Sequence, residues 1–294
     1  MSSGIQSTRG LQRSGKRLGE RLFTGLCLVA AALPLGVLLL LLAALAHDAT
    51  ARLGWRFLTG YPSRQPELAG ILPAFSGSLA LVSLTALFTL PAGLGAAIYL
   101  EEYAPRGRVT AWLELNVANL AGVPSLIYGL VGLGVFVRSL ALGRSVLAGA
   151  ATLSLVVLPV VISSARDALR AVPTSLREAC HALGSTRWRM ISRVLLPMAL
   201  PGMLSGGLLA LSRAIGETAP LLVVGALAYV SFVPYGLGSP YTALPLQIFH
   251  WVSRPQPGFL LNAAAASVVL LACMLLMNTA AALLRSRRQQ QRWE

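Results

Sequence analysis

The chain has 294 residues, of which 55% are hydrophobic and 12% charged, and its mean hydropathy is +0.70. These values exclude an ordinary soluble domain and indicate an integral membrane protein. The net charge of +14 does not indicate nucleic-acid binding, because the arginines are concentrated in short segments between apolar runs, a distribution that sets membrane topology. The three cysteines are far apart and none lies at metal-ligand spacing from a histidine, so we predict neither a disulfide nor a metal site.

The N-terminal part of the chain divides into a tail, an anchor and a loop. Residues 1–22 are rich in Ser, Gly and Arg, which predicts a flexible cytoplasmic tail. Residues 23–46 form an apolar run of 24 residues, longer than the apolar region of a cleaved signal peptide, and we predict a retained first transmembrane helix. Residues 47–74 then form a periplasmic loop.

Residues 75–284 are predicted to form an all-α core with five further transmembrane helices, because five apolar runs are long enough to cross the hydrocarbon. The runs are 75–100, 117–137, 146–164, 198–224 and 259–284. The run 117–137 is interrupted by glycines and Pro124, which membrane helices tolerate better than soluble ones. Residues 107–122 before it have the apolar pattern of an interfacial helix. Residues 285–294 are a predicted cytoplasmic tail.

The basic residues orient these six spans. Of the 24 lysines and arginines, 17 lie on one side of the predicted membrane and six on the other, with Arg213 inside a span. The positive-inside rule places the larger group, and with it both termini, in the cytoplasm.

The longest predicted cytoplasmic connection is the loop 165–197. Pro173 and Thr174 suit a helix start, and Gly184 separates that helix from a second apolar pattern leading into the fifth span. The spacing predicts a helix, a turn and a second helix. An amphipathic loop lying on the membrane surface is the alternative.

This loop resembles a motif of ABC importer permeases, in which Glu-Ala-Ala is followed at fixed spacing by Gly and then by Ile-x-Leu-Pro. The matching residues are Glu178, Ala179 and Gly184, and Cys180 and Val194 replace motif residues by apolar ones of similar size. The resemblance implies the six-helix, EAA-loop fold of a type I ABC importer permease. It also implies that Glu178, Ala179 and Gly184 belong to a coupling helix that docks on a cytoplasmic ATPase.

The fifth predicted span contains two ionisable residues, Arg213 and Glu217. Helical spacing places them on one face, one turn apart, and Arg213 lies ~20 Å along the span if the helix enters at Met198. Ionisable groups at that depth face a protein interior or an aqueous pathway. The pair either pins two helices together or presents Arg213 to an anion in transit. Pro220 leaves the carbonyl of Gly216 without its helical partner, which predicts locally open backbone.

Around this pair the sequence "SRAIGETAPLL", residues 212–222, resembles the signature of permeases of the phosphate-specific ABC importer, of the PstA type rather than the PstC type. Three other segments resemble the same family: "AAIYLEEYAP" (96–105), "NLAGVPSLIYGLVGLGVF" (119–136) and "TALPLQIF" (242–249).

The resemblance implies inorganic phosphate as the substrate, Arg213 and Glu217 in its pathway, and a bacterial inner membrane with its lipid as the location. It further implies a second homologous permease subunit, a cytoplasmic ABC ATPase dimer and a periplasmic phosphate-binding protein. ATP and magnesium are expected on the ATPase chain, because a Walker A loop needs Gly-Lys-Ser/Thr and the only lysine here is Lys16. We assign this chain no cofactor and no catalytic residue.

Three other functions stay open from the sequence. A permease for another oxyanion (sulfate, molybdate or tungstate) would share the EAA loop, although not the matched segment at 212–222. A subunit that reports phosphate status could have the same architecture. A membrane enzyme using Glu217 as acid or base is disfavoured, because Arg213 would hold that carboxylate ionised and no Ser–His pair lies within helical reach.

Overall fold

The computed structural model describes residues 5–105, 107–227 and 229–290, with side chains described from Glu20 to Leu284 except at 21, 22, 106 and 228. The regular secondary structure of those residues is all helical, with no strand among them. The helices are α1 (Ile5–Thr50), α2 (Trp55–Thr59), α3 (Leu72–Ile98), α4 (Arg108–Ala121), α5 (Ser125–Gly132), α6 (Val146–Arg170), α7 (Thr174–Ala182), α8 (Arg187–Met190), α9 (Leu196–Ala214), α10 (Ala219–Val224), α11 (Leu244–Val252) and α12 (Gly258–Gln290). Wide helical turns extend α3 over Tyr99–Tyr103 and α5 over Leu133–Ser139, and precede α9 over Ile191–Leu195.

Helix α6 lies at the centre of the fold, with α3 on one side and α9 on another. It begins after Ser145, whose hydroxyl caps the first turn by accepting a hydrogen bond from the backbone N–H of Ala148. Its neighbours approach closely through glycines: a Cβ on Gly93 of α3 would lie 2.7 Å from Val161, and one on Gly206 of α9 would lie 2.7 Å from Ser164. Small residues let membrane helices approach closely, and the van der Waals packing that results favours their association.

Two apolar clusters hold the two ends of this bundle. The predicted cytoplasmic cluster joins α6, α9 and the segment between α7 and α9 through the buried side chains of Leu169, Val172, Ile191, Leu195 and Met203. The predicted periplasmic cluster joins α2, α3, α11 and α12 through Phe57, Ile71, Leu244, Trp251 and Phe259. The loop between α10 and α11 therefore folds back against the helices: Tyr241 and Thr242 are fully buried, and the hydroxyl of Ser78 on α3 accepts a hydrogen bond from the N–H of Leu244.

Five helical stretches are long and apolar enough to cross a membrane: Phe23–Thr50, Leu72–Tyr103, Val146–Arg170, Arg187–Ala214 and Gly258–Leu284. The predicted third span, 117–137, is wrong as a continuous helix. Arg108–Ala121 and Ser125–Ser139 form a pair bent by 102° at Gly122–Val123–Pro124, and the pair counts as a sixth span only when taken together. The bend arises because Pro124 cannot continue a helix and restricts the residue before it to extended backbone.

The predicted fifth span, 198–224, is also divided. Helix α9 ends at Ala214 and α10 begins at Ala219, with Pro220 in its first turn. Two tight turns end α9. In the first, the N–H of Gly216 donates to the carbonyl of Arg213, and in the second, the N–H of Glu217 donates to the carbonyl of Ala214, both at 3.1 Å. The open backbone predicted beside Pro220 is therefore present, as a complete break in the helix.

The first span is peripheral. Between residues 23 and 50 the only buried side chain is that of Ala49, at the C-terminal end of α1, where it joins the predicted periplasmic cluster. Just beyond it, Arg52 Nε donates to Asn262 Oδ1 on α12 at 2.7 Å. The predicted N-terminal tail, 1–22, has helical backbone from Ile5 onward, continuous with α1, and the predicted C-terminal tail is helical as far as Gln290. Residues 1–4 and 291–294 lie outside the described part.

Candidate functional site

Arg213 and Glu217 are brought together where α9 ends. Arg213 Nε lies 3.8 Å from Glu217 Oε1, with 78% of the arginine side chain and 17% of the glutamate side chain exposed. The distance is that of an ion pair without a hydrogen bond. The prediction that the two residues are close is correct, but its reason is wrong, because Glu217 lies beyond the last helical residue, Ala214.

The Arg213 guanidinium makes no hydrogen bond to any residue that the structure describes. A guanidinium carries five N–H donors in a planar fork. The cation is placed at the last turn of α9, where the helix dipole favours positive charge. Its donors are therefore held near a carboxylate yet remain available to a ligand.

A cavity of about 280 Å³ lies beside this pair, between α9, α6 and the bend that joins α4 to α5. The share of one water in the liquid is about 30 Å³, so the cavity has room for a small hydrated ion. Its walls are mostly apolar or backbone, and its polar side chains are those of Arg213, Glu217, Ser125 and Tyr128. Such a cavity, in which a guanidinium with free donors lies among mostly apolar walls, two hydroxyls and one carboxylate, is suited to a small anion.

The bend between α4 and α5 is fixed in place by local contacts. The hydroxyl of Tyr128 donates to the carbonyl of Leu120 across the bend at 2.8 Å. On the other side of α5, Gly129 lies against α10, and a Cβ there would be 2.8 Å from the Cα of Pro220. The bend and the break after α9 therefore support each other, and both border the cavity.

The predicted coupling segment is a helix, a turn and a second helix. Helix α7 carries Glu178 and Ala179, both exposed, and Gly184 follows it in the left-handed region at φ +70°. Helix α8 begins after Thr186, whose hydroxyl accepts from the N–H of Arg189. Leu183, at the turn, is 87% exposed. An exposed leucine beside an exposed helix face is a surface suited to a partner.

A group of ion pairs at the predicted cytoplasmic face was not foreseen from the sequence. Glu101 and Glu102, at the end of α3, pair with arginines of α6 and α7: Arg170 Nε lies 3.0 Å from Glu101 Oε2, and Arg177 Nη2 lies 2.9 Å from Glu102 Oε1. Arg166 also pairs with Glu101 and, through Nη2, with Glu114 of α4. The spacing of Arg166 and Arg170, one helical turn apart, was the available signal, but it did not identify their partners.

Comparison with known proteins agrees with this architecture. The family model described as "Binding-protein-dependent transport system inner membrane component" matches residues 89–290. "Phosphate transport system permease protein PstA 1" of Mycobacterium tuberculosis (strain CDC 1551 / Oshkosh) is 37% identical over 235 residues, 79% of this chain and 76% of that protein. "Probable ABC transporter permease protein YqgI" of Bacillus subtilis (strain 168) is 31% identical over 230 residues, 76% of this chain and 78% of that protein.

Among solved structures, the fold is similar to that of the MetNI methionine ABC transporter in an inward-facing conformation. The TM-score is 0.60 at 21% identity, and the match covers 71% of this chain and 92% of the other. At that identity the likeness shows the fold alone, and the fold is that of an ABC importer permease.

Proposed function

We propose that this chain, which belongs to the family of binding-protein-dependent transport system inner membrane components, is the PstA-type permease subunit of an ATP-driven importer of inorganic phosphate. It is a multi-pass protein of the inner membrane with no ATPase site of its own, as in its family. The observation that carries the proposal is the exposed Arg213 guanidinium, free of hydrogen bonds to described residues, in the wall of a cavity midway along the fold.

The chemistry of Arg213 suits phosphate. The ion carries one or two negative charges at neutral pH and must shed water to cross the hydrocarbon, and a guanidinium can replace part of that hydration with two parallel hydrogen bonds. Arginine stays charged at all physiological pH values, so the site is cationic whenever an anion arrives. Phosphate thus meets a fixed charge with free donors.

Glu217 neutralises Arg213 when no anion is bound. A cation alone in a low-dielectric site would cost several kcal/mol, and a carboxylate 3.8 Å away reduces that cost when the cavity is empty. Because the carboxylate competes with the anion for the same guanidinium, it also weakens binding. Release on the cytoplasmic side needs such weakening.

The family implies an ATPase and a substrate-binding protein as partners. We further propose a second homologous permease subunit, since Arg213 is 78% exposed in the isolated chain and a second subunit would close that side of the pathway. The ATPase is proposed to be a dimer that holds ATP and magnesium, and the binding protein to deliver phosphate from the periplasm. Both termini are proposed to be cytoplasmic.

Coupling to the ATPase is assigned to Glu178, Ala179 and Gly184. Glu178 and Ala179 are exposed on α7, and the left-handed conformation of Gly184 sets the angle between α7 and α8. A short exposed helix at a fixed angle can enter a groove of the ATPase.

The test is uptake by the complete complex reconstituted in vesicles, with the binding protein outside and ATP inside. We expect ATP-dependent accumulation of radiolabelled phosphate that excess sulfate or molybdate does not reduce. Uptake of sulfate or molybdate in place of phosphate would assign the chain to another oxyanion. A complex that binds its partners and hydrolyses ATP but accumulates no anion would favour a signalling subunit.

A further inference from the structure

Arg177 and Glu178 are neighbours on the coupling helix α7, yet their side chains have opposite environments. Glu178 is exposed, whereas the Arg177 side chain is only 20% exposed and turns toward the membrane helices. Consecutive residues of a helix point about 100° apart, so one short helix can present a partner-facing residue and a residue that faces the bundle. The face of α7 that carries Arg177 is the one attached to the rest of the chain.

Arg177 attaches α7 by hydrogen bonds to three parts of the chain. Its guanidinium donates to Glu102 Oε1 at 2.9 Å, to the carbonyl of Leu169 at 3.0 Å and to the carbonyl of Val172 at 3.0 Å. Glu102 belongs to the end of α3, Leu169 to the last turn of α6, and Val172 to the connection between α6 and α7. The Glu102 side chain is only 6% exposed, so the ion pair is shielded from water. Shielded, hydrogen-bonded pairs hold a fixed geometry better than exposed ones.

The ion pairs continue from Glu102 toward the cavity. Glu101, on the same wide turn, pairs with Arg166 of α6, and Arg166 pairs with Glu114 of α4. Helix α4 ends at Ala121, and the residues that follow it form the bend that lines the cavity beside Arg213. Contacts between charged groups thus run from the coupling helix to α4, and the C-terminal end of α4 leads into one wall of the proposed phosphate site.

We propose that Arg177 is a positioning residue which, through Glu102, transmits the movement of the coupling helix to α3, α6 and α4, and so to the cavity wall. The proposal rests on the importer function proposed above. When the ATPase moves α7, the three bonds of Arg177 oblige the ends of α3 and α6 to follow. The pair Arg166–Glu114 then carries that displacement to α4, whose end shapes the cavity.

The experiment compares phosphate transported per ATP hydrolysed in vesicles containing the complete complex. The variants are R177M, E102Q and R177M with E102Q. The matched control is R193M, which removes an exposed arginine of the same loop that forms no ion pair with a described residue. Complexes are compared at equal levels of assembled subunits. The E102Q variant is isosteric and keeps the packing of α3.

We expect R177M and E102Q each to lower the ratio of phosphate to ATP about tenfold, within the range usual for coupling between two sites, and R193M to leave it unchanged. Because the two residues act through one contact, the double variant should be no worse than either single variant. A wild-type ratio in E102Q, or losses that multiply in the double variant, would overturn the proposal.

Three further outcomes are decided by the same measurements. If R177M does not assemble, E102Q decides alone, and an unchanged ratio in that variant contradicts the transmission route. If the unmodified complex transports no phosphate, the proposed function itself fails. If it transports phosphate and every variant keeps the wild-type ratio, the inference about Arg177 alone fails.

Discussion

The Arg213 guanidinium is 78% exposed while the carboxylate of Glu217, 3.8 Å away, is 17% exposed. Both side chains line the cavity, the cation largely open and the carboxylate mostly enclosed by protein, as expected of a ligand-binding arginine with a resident counter-ion. A pair serving only to pin two helices would have both members enclosed between them.

The first prediction concerns the cation. Arg213→Gln should reduce phosphate uptake to background while the subunit still inserts and assembles, because the side chain keeps hydrogen-bond donors but loses its charge. Arg213→Lys should restore uptake only poorly, since an ammonium lacks the planar fork. The measurement is uptake of radiolabelled phosphate in membranes with matched subunit levels.

The second prediction separates an anion pathway from packing. Glu217→Gln leaves Arg213 uncompensated, so the subunit should bind phosphate longer or be destabilised. If the pair only packs, removing both charges with R213Q and E217Q should restore function. We expect that double variant to remain inactive, and normal transport by it would show that the arginine has no part in the pathway.

The third prediction concerns the turn of the coupling segment. Gly184 has φ +70° and open space around it, so a substitution that adds a side chain is disfavoured by backbone strain and not by a steric clash. The left-handed conformation costs roughly 1–2 kcal/mol for most residues but is tolerated by Asn. Gly184→Leu should therefore uncouple ATP hydrolysis from phosphate uptake, whereas Gly184→Asn should stay close to wild type. Normal phosphate uptake with Gly184→Leu would argue against the docking role.

The fourth prediction uses two glycines on one helix. A Cβ at Gly132 would lie 2.1 Å from the hydroxyl of Thr152 on α6, while a Cβ at Gly134 would have nothing within 4 Å. Overpacking of a close contact costs roughly 1–3 kcal/mol. Gly132→Ala should lower the thermal unfolding temperature of the purified complex, and Gly134→Ala should not. Equal stability of the two variants would mean that α5 and α6 are less closely packed.

The fifth prediction concerns topology. Green fluorescent protein fused after Glu294 should fluoresce in cells, because it folds in the cytoplasm, where the C-terminus is proposed to lie. The same reporter inserted after Arg64, in the predicted periplasmic loop, should not. A periplasmic C-terminus would reverse the whole orientation and move the coupling segment to the wrong side.

The sequence predicted what depends on apolar length and on local turn chemistry. Four of the six spans are continuous helices close to their predicted bounds, and Gly184 separates two short helices as its position suggested. The division of the other two spans was not predicted, because apolar content alone cannot distinguish a continuous helix from a broken one. The prolines were visible, but whether Pro124 and Pro220 kink a helix or end it depends on the neighbours that satisfy the freed backbone groups.

The ion pairs that join α3, α6 and α7 could not be predicted from the sequence for a different reason. Glu102 and Arg177 are 75 positions apart, and no local rule selects Arg177 over the other arginines of the predicted cytoplasmic segments. Their pairing follows from how α3 and α6 pack, which the glycine contacts along those helices determine. Proximity of Arg213 and Glu217 was predictable from spacing, but the exposure of one and the enclosure of the other were not.

Helix α1 has a consequence for the membrane itself. Its apolar run, residues 23–46, is about 36 Å long at 1.5 Å per residue, against a hydrocarbon thickness of about 30 Å. This positive hydrophobic mismatch of about 6 Å must be absorbed by tilt or by local thickening of the bilayer. Because the buried contact of α1 is at Ala49 and the hydrogen bond just beyond it is at Arg52, its tilt is expected to change about its C-terminal end as lipid chain length changes. The tilt angle of α1 relative to the bilayer normal should thus depend on bilayer thickness.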